Sequence, residues 1–168
     1  MEHDYIINGE KILLRPLNEN DLESVVTWRN KESIRKWFIN NELITIEEQI
    51  KWYEDYLKIP NDYIFIIEEC NDLKQAVGIA AIYNVDDERA EFGRLFIGVE
   101  EAIGKNIGSE VVQLLCKFAF DDLDLNKIYL NVFDDNEIAI NIYQKCGFRI
   151  CYRYRANNKI LIRMELNR

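Results

Sequence analysis

The chain predicts a mixed α/β fold, one sheet flanked by helices, and three observations carry that expectation. Short apolar or alternating segments recur between segments with apolar residues at i, i+3, i+4 and i+7, the two periodicities of strand and helix. Their order reads β-α-α-β-β-β-α-β-α-β-β, which gives a mixed sheet with helices packed on it. Around residues 91 to 120, a strand, a glycine-bearing turn and a helix follow one another directly, and the rest of the chain is organised around them.

Taken in order, Lys11 to Leu17 (KILLRPL) reads as a strand, with Gly9-Glu10 before it and Pro16 marking its end or an edge position. Asn18 to Asp21 supplies N-cap chemistry for a helix that carries Leu22, Val25, Val26 and Arg29 on one side. Trp28, Arg29, Arg35, Trp37 and Phe38 then fall within eleven residues. They read either as a helix pair closing over the sheet or as the lining of a pocket for a polar, planar or sugar-like group.

Thr45 and Glu48 form a capping-box signature opening a helix through Lys58, and Pro60 stops it. Tyr63 to Glu68 and Gln75 to Tyr83 are strands joined by a hairpin through Asn71-Asp72. Gly78 marks a bulge or a close backbone contact in the second.

In the central stretch, Leu95, Phe96 and Ile97 form an apolar run that Gly98 interrupts. Gly104-Lys105-Asn106-Ile107-Gly108 then leads through Ser109 into a helix with apolar residues at 111, 114, 115 and 118. The glycines let a ligand approach the backbone, Asn106 tolerates φ > 0 and Lys105 adds a positive charge. N–H groups at the mouth of a helix make this a candidate anion site, on a pattern that many α/β proteins also carry without binding anything.

Lys127 to Phe133 alternates as a strand. Asp134 to Asn136 caps a helix whose apolar stripe is Ala139, Ile142, Tyr143 and Cys146, and Gly147 is its C′ stop. Phe148 to Arg155 and Lys159 to Glu165 pair across Ala156-Asn157-Asn158.

With 168 residues, 48% hydrophobic and 30% charged, the chain is expected to form one domain over residues 1–168 that folds on a conventional core. A net charge of −9 speaks against a general nucleic-acid surface and fits a cationic or neutral partner. Cys70, Cys116, Cys146 and Cys151 form no CxxC pair and are expected as buried free thiols in a reducing compartment, with no metal; the lone His3 lies in the N-terminal tail. No apolar run approaches the length of a membrane span, and a cytoplasmic protein is expected.

From Asn131 to Phe148 the sequence resembles the GNAT superfamily of acetyl-CoA-dependent N-acetyltransferases, on Asn136, Ala139, Tyr143, Lys145, Gly147 and Phe148. With the glycine turn and the strand order, the resemblance covers nearly the whole chain. It implies a mixed, mostly antiparallel seven-stranded sheet flanked by four helices. It also implies acetyl-CoA as cosubstrate without a metal, and a small-molecule amine as acceptor. Neither nucleic acid nor membrane is implied, and a homodimer stays open.

By that resemblance, Gly104, Lys105, Asn106, Ile107, Gly108 and Ser109 would present N–H groups to the CoA pyrophosphate. Leu95, Phe96 and Ile97 would hydrogen-bond the pantetheine arm, with Asn131, Asn136 and Lys145 completing the cofactor contacts. Ile103 and Asn106 depart from the family's Arg/Gln-x-x-Gly-x-Gly/Ala turn and remove a side-chain contact. Tyr143 would protonate the departing sulfur; on spacing alone it reads as a half-buried core tyrosine. Asn131 stands where some members carry a glutamate, and an amide cannot accept a proton at neutral pH. Glu91 is then the candidate base, directly or through water, and it reads equally as a solvated strand residue beside Arg89.

Over residues 28 to 61 the chain is similar to a subgroup that acetylates nucleotide-linked deoxyamino sugars, which would make Trp28, Arg29, Arg35 and Trp37 acceptor contacts. The general arrangement is also similar to polyamine and ribosomal-protein N-terminal acetyltransferases. A CoA-binding module without turnover is the other class that the departures at Ile103, Asn106 and Asn131 leave open.

Overall fold

The computed structural model describes residues 3–156 and 158–168. Eight strands form one sheet: β1 (Ile7–Asn8), β2 (Ile12–Pro16), β3 (Tyr63–Glu69), β4 (Gln75–Tyr83), β5 (Arg89–Ile97), β6 (Lys127–Phe133), β7 (Arg149–Ala156) and β8 (Lys159–Asn167). Their order is β1-β2-β3-β4-β5-β6-β8-β7. All neighbours are antiparallel except β5 and β6. The helices are α1 (Leu22–Arg29), α2 (Glu32–Arg35), α3 (Ile46–Tyr56), α4 (Ile107–Asp121) and α5 (Glu137–Lys145). Among the described residues the count is therefore eight strands rather than seven, because Ile7–Asn8 adds a two-residue edge strand on β2, and five α-helices rather than four, because α2 adds a single turn.

Local sequence chemistry sets the boundaries. Asn18 and Asp21 form a reciprocal capping box ahead of α1. Thr45 and Glu48 form another, with Thr45 N–H donating to Glu48 Oε2 at 2.8 Å. Asn136 Oδ1 caps α5 by accepting from Ala139 N–H at 3.2 Å. Gly147, at φ +95°, ends that helix in the left-handed region where a side chain would be strained. Pro16 sits at the end of β2, where its missing N–H breaks no further rung. The hairpin between β7 and β8 includes Asn157, which lies outside the described residues.

The sheet divides the core into two layers. Phe65 and Ile67 of β3 face α4 and α5, while Ile64 and Ile66 face α1–α3, and all four are fully buried. Burying one such side chain is worth about 1.5–3 kcal/mol, so β3 anchors both layers. On the α4–α5 face the core runs across the sheet, from Leu14 through Phe92 to Leu130 and Met164. On the α1–α3 face the fully buried strand residues are Ile64, Ile66, Ile79 and Ala81, from β3 and β4. The helices on that side therefore cover β3, β4 and the end of β5, and β6, β8 and β7 stand open beside them.

Several cysteine and tail expectations change. Among the described residues all four cysteines are free, but only Cys116 is buried; Cys146 is half-buried, and Cys70 and Cys151 are exposed. Cys151 is the extra residue of a β-bulge opposite β8, on an edge strand whose residues 149–155 are all exposed. His3 is not in a loose tail. It is buried against Phe65, with ring centroids 4.5 Å apart, and its Nε2 lies 3.0 Å from the Ile64 carbonyl.

Candidate active site

The site begins where two strands part. β5 and β6 share three rungs, Arg89↔Lys127, Ala90↔Ile128 and Glu91↔Tyr129. Beyond them β5 follows β4 as far as Ile97, and β6 follows β8 as far as Phe133. An extra residue in β5 at Arg94, at φ 53°, forms a bulge against β4 that bends the strand within the open part. Arg94 Nη1 is held there by both carboxylate oxygens of buried Asp62 at 2.8 Å, and its guanidinium lies 4.3 Å from the Tyr83 ring centre. The result is a fork in the sheet, with backbone groups of Leu95, Phe96 and Ile97 on one arm not paired to the other. Such an edge can hydrogen-bond an extended ligand.

Glu91 is the last rung before the fork. Its Oε1 accepts from Asn131 Nδ2 at 2.9 Å and its Oε2 from Asn84 Nδ2 at 3.1 Å. Asn131 Oδ1 in turn accepts from Tyr154 at 2.9 Å and from Arg163 Nη1 at 3.3 Å. Arg163 stacks on Tyr129 at 3.8 Å. The half-buried carboxylate is therefore oriented by a network and is not a solvated partner of Arg89, whose guanidinium pairs with Asp86. Burial, and after it the Glu91 charge, raises the pKa of the nearby Tyr83 and Tyr129 phenols. The Asn131 amide, expected among the cofactor contacts, is engaged with Glu91, Tyr154 and Arg163.

Tyr143 lies on the opposite face. It is 9% exposed, and its ring packs edge-on against Phe92 and Phe148, each 5.9 Å away. Phe92 is the first β5 residue past the last rung, and successive strand residues point to opposite faces. Glu91 and Tyr143 thus flank the root of the fork from the two sides of the sheet. Burial pushes the Tyr143 phenol well above its ordinary value of 10.0, so it stays protonated at neutral pH.

The turn before α4 is open and takes left-handed backbone at two positions. Gly104 takes φ +83° with open space where a Cβ would be, and Asn106 is a left-handed N-cap at φ 63°. Ser109 and Gly108 occupy the first helical turn, and a Cβ on Gly108 would reach only Ile142 Cδ1, at 3.5 Å. A groove of about 740 Å³ runs beside this turn, lined among others by Lys11, Asn106, Ser109, Gln113, Lys145 and Cys146. Lys145 is exposed in the last turn of α5, at the groove's far wall.

The α1–α2 residues separate into two sets. Trp28 is 7% exposed, and a Cβ on Gly98 would fall inside its indole. Its face is spent on the end of β5, so it is a core residue and not an acceptor contact. Arg29 stacks over Phe38 at 3.7 Å and donates to the Asn40 carbonyl, while Arg35 Nη1 donates to the Asn41 carbonyl at 3.1 Å. Both guanidinium groups thereby tie down the loop after α2. Trp37 is half-buried with Lys36 Nζ 4.8 Å from its ring centre.

Sequence reasoning missed the residues that bridge the halves. Lys31 Nζ donates to the Gly98 carbonyl at 2.8 Å. Lys159 Nζ donates to the Lys36 carbonyl at 3.2 Å and lies 4.3 Å from the Phe133 ring centre. Arg163, Tyr154, Asn84 and the Asp62–Arg94 pair were invisible because their roles depend on which strands pair, and no local pattern encodes that.

Known proteins share the fold and much of the sequence pattern. The family model described as "Acetyltransferase (GNAT) domain" matches residues 11–149. The chain is 29% identical over 143 residues to spermidine N(1)-acetyltransferase of Escherichia coli, covering 85% of this chain and 75% of that protein. It is 25% identical over 134 residues to acetyltransferase PseH of Campylobacter jejuni, covering 80% of each. An uncharacterized protein of Methanocaldococcus jannaschii is 28% identical over 89% of this chain, which spans only 30% of that relative's length. The crystal structure of spermidine N-acetyltransferase from Vibrio cholerae in complex with CoA and spermine superposes with a TM-score of 0.84 at 21% identity, covering 95% of this chain and 96% of that one. A matched family model over most of its length, on a sheet that forks between β5 and β6, makes this chain a member of the GNAT acetyltransferase family, the enzymes that move acetyl from acetyl-CoA to an amine nitrogen.

Proposed function

We propose that the chain acetylates a primary amine on a nucleotide-linked amino sugar, with the thioester held in the fork between β5 and β6. The observation that carries this reading is the placement of Glu91 and Tyr143 on opposite faces at the root of that fork. The donor's thiol end comes from the α4–α5 face, and the amine from the half-open face beside α1 and α2.

The residues present fit acetyl-CoA. The free β5 edge at Leu95, Phe96 and Ile97 suits the amide-bearing pantetheine arm. The N–H groups of residues 104–109 at the positive end of α4 suit the pyrophosphate. The groove beside them brings Lys11 and Lys145 to the nucleotide end. Asn136 contributes its amide N–H₂, since its Oδ1 is committed to the α5 cap.

An alkyl amine of pKa about 10.4 costs on the order of 4–5 kcal/mol to deprotonate at pH 7, and Glu91 accepts that proton directly or through one water. Free N–H groups of the β5 arm face the oxyanion that forms on attack. The C–S bond then breaks, and Tyr143, a phenol that is protonated at neutral pH, supplies the proton to the leaving sulfur.

For the acceptor, the open face beside Glu91 carries Lys36, Lys159 and Arg163 together with the rings of Trp37, Tyr129 and Tyr154. Cations with aromatic faces suit a phosphate and a sugar ring, and they oppose a polycation. The net charge of −9 and the spermine held by the Vibrio cholerae structure favour a second reading, a polyamine acceptor. Thiol release from acetyl-CoA across a panel of nucleotide-linked amino sugars, free amino sugars, spermidine and N-terminal peptides decides between them. A kcat/KM highest on the nucleotide-linked sugar is expected; a far higher value on spermidine or a peptide would refute the first reading.

A further inference from the structure

The hairpin between β3 and β4 brings a carboxylate to the turn that opens α4. Lys105 Nζ donates to Asp72 Oδ2 at 2.9 Å, and Lys11 Nζ donates to the Lys105 carbonyl at 3.2 Å. Asp72 does not sit on a loose loop. Glu69, 3% exposed, accepts the backbone N–H groups of Asn71, Asp72, Leu73 and Lys74 at 2.5–3.3 Å. Those bonds fix the hairpin as an arm that ends in Asp72, so the cation at the turn is already paired.

We propose that Asp72 is a counter-ion that competes with the phosphate groups of CoA for Lys105, holding the affinity of the turn down and speeding release of the free thiol product. This rests on the reading that residues 104–109 take the pyrophosphate. Two effects of Asp72 oppose each other, orientation of the lysine and repulsion of the ligand. The ion pair is exposed, 36% on the lysine and 69% on the aspartate side chain, so the orientation it imposes is weak. A lysine ammonium is a compact point charge that needs little orienting. Repulsion between a fixed carboxylate and a multiply charged ligand at the same turn is the larger effect.

The test is calorimetry of CoA binding to the wild type, Asp72→Asn, Lys105→Met and the double variant, at low and high salt. Acetyl-pantetheine, which lacks the phosphates, is the control ligand. Asp72→Asn keeps the backbone bonds to Glu69, so the hairpin stays in place. It is expected to lower the CoA Kd by roughly three- to tenfold at low salt, less at high salt and less again in the Lys105→Met background. CoA dissociation should slow in parallel, with acetyl-pantetheine unaffected. If Lys105→Met weakens CoA while Asp72→Asn leaves it unchanged or weakens it, the counter-ion role is overturned and the pyrophosphate reading stands. An equal gain for acetyl-pantetheine overturns the counter-ion role as well. If CoA affinity ignores both substitutions and the salt, the two readings fall together.

Discussion

Asn131 Nδ2 donates to Glu91 Oε1 at 2.9 Å, reaching from one arm of the fork back to the last rung of the other. The bond fixes a carboxylate at the point where the strands part, and on the proposed mechanism the two residues act together. Glu91→Gln should lower kcat on the true acceptor by about 10²-fold or more, and Asn131→Ala, which leaves the carboxylate but frees it, by about tenfold. Because they act together, the double variant should be no slower than Glu91→Gln alone. Equal, fully additive losses in steady-state kinetics would show that the bond has no part in turnover.

Tyr143→Phe removes one oxygen from a ring whose packing on Phe92 and Phe148 is otherwise retained. CoA affinity and melting temperature should stay close to the wild type while kcat falls by about 10² to 10⁴-fold, the usual span for a general acid. Turnover within about threefold of the wild type would make it a packing residue.

Gly108 and Gly98 separate a ligand effect from a folding effect. At Gly108 a Cβ meets only Ile142 Cδ1 at ordinary contact distance, so Gly108→Val should fold and bind CoA more weakly, because the side chain blocks the backbone of the turn. At Gly98 a Cβ collides with Trp28, and Gly98→Ala should destabilise the fold by about 1–3 kcal/mol through overpacking. Thermal denaturation alongside calorimetry checks both, and undiminished CoA affinity in folded Gly108→Val would remove the turn from the binding site.

Burial lowers the pKa of His3 below its ordinary 6.5, against the opposing Ile64 carbonyl and the charges of Asp4 and Asp62. The unfolded chain then binds the proton more readily than the folded one, so the His3 contribution is intact above about pH 6.5 and is lost as pH falls below it. The melting temperature of the wild type should drop more between about pH 7.5 and pH 5.5 than that of His3→Phe. Parallel curves would mean that His3 stays neutral, or stays solvated, in both states.

Much of the fold was legible because it is local. Capping residues Thr45 and Asn136 and the stop at Gly147 act within a few residues of themselves and mark helix ends correctly, whereas Asn18 caps a 3-10 turn ahead of α1 and α3 ends at Tyr56, two residues short of the expected Lys58. The turn from Gly104 to Ser109 was legible for the same reason. What could not be read was register. Arg163 reaches Asn131 because β8 inserts between β6 and β7, and Trp28 is buried because Gly98 happens to lie beneath it. Both facts depend on residues more than thirty positions apart, and an aromatic and arginine cluster reads the same whether it faces a ligand or a core. The short strand Ile7–Asn8 and the single turn of α2 lack the length that makes a periodicity visible.

The three rungs between β5 and β6 are also a seam. Residues 127–167 hold β6, α5, β7 and β8 as one uninterrupted run whose strand pairings close among themselves, apart from that seam. The chain before them holds β1–β5 in the same self-contained way. A backbone cut in the exposed turn around residues 121–124 would therefore give two pieces that sever no antiparallel ladder, with Glu91 on one and Tyr143 on the other. Co-expressed, such pieces should restore acetyl transfer only on re-association, which would make this enzyme a split reporter whose signal is the joining of its own halves.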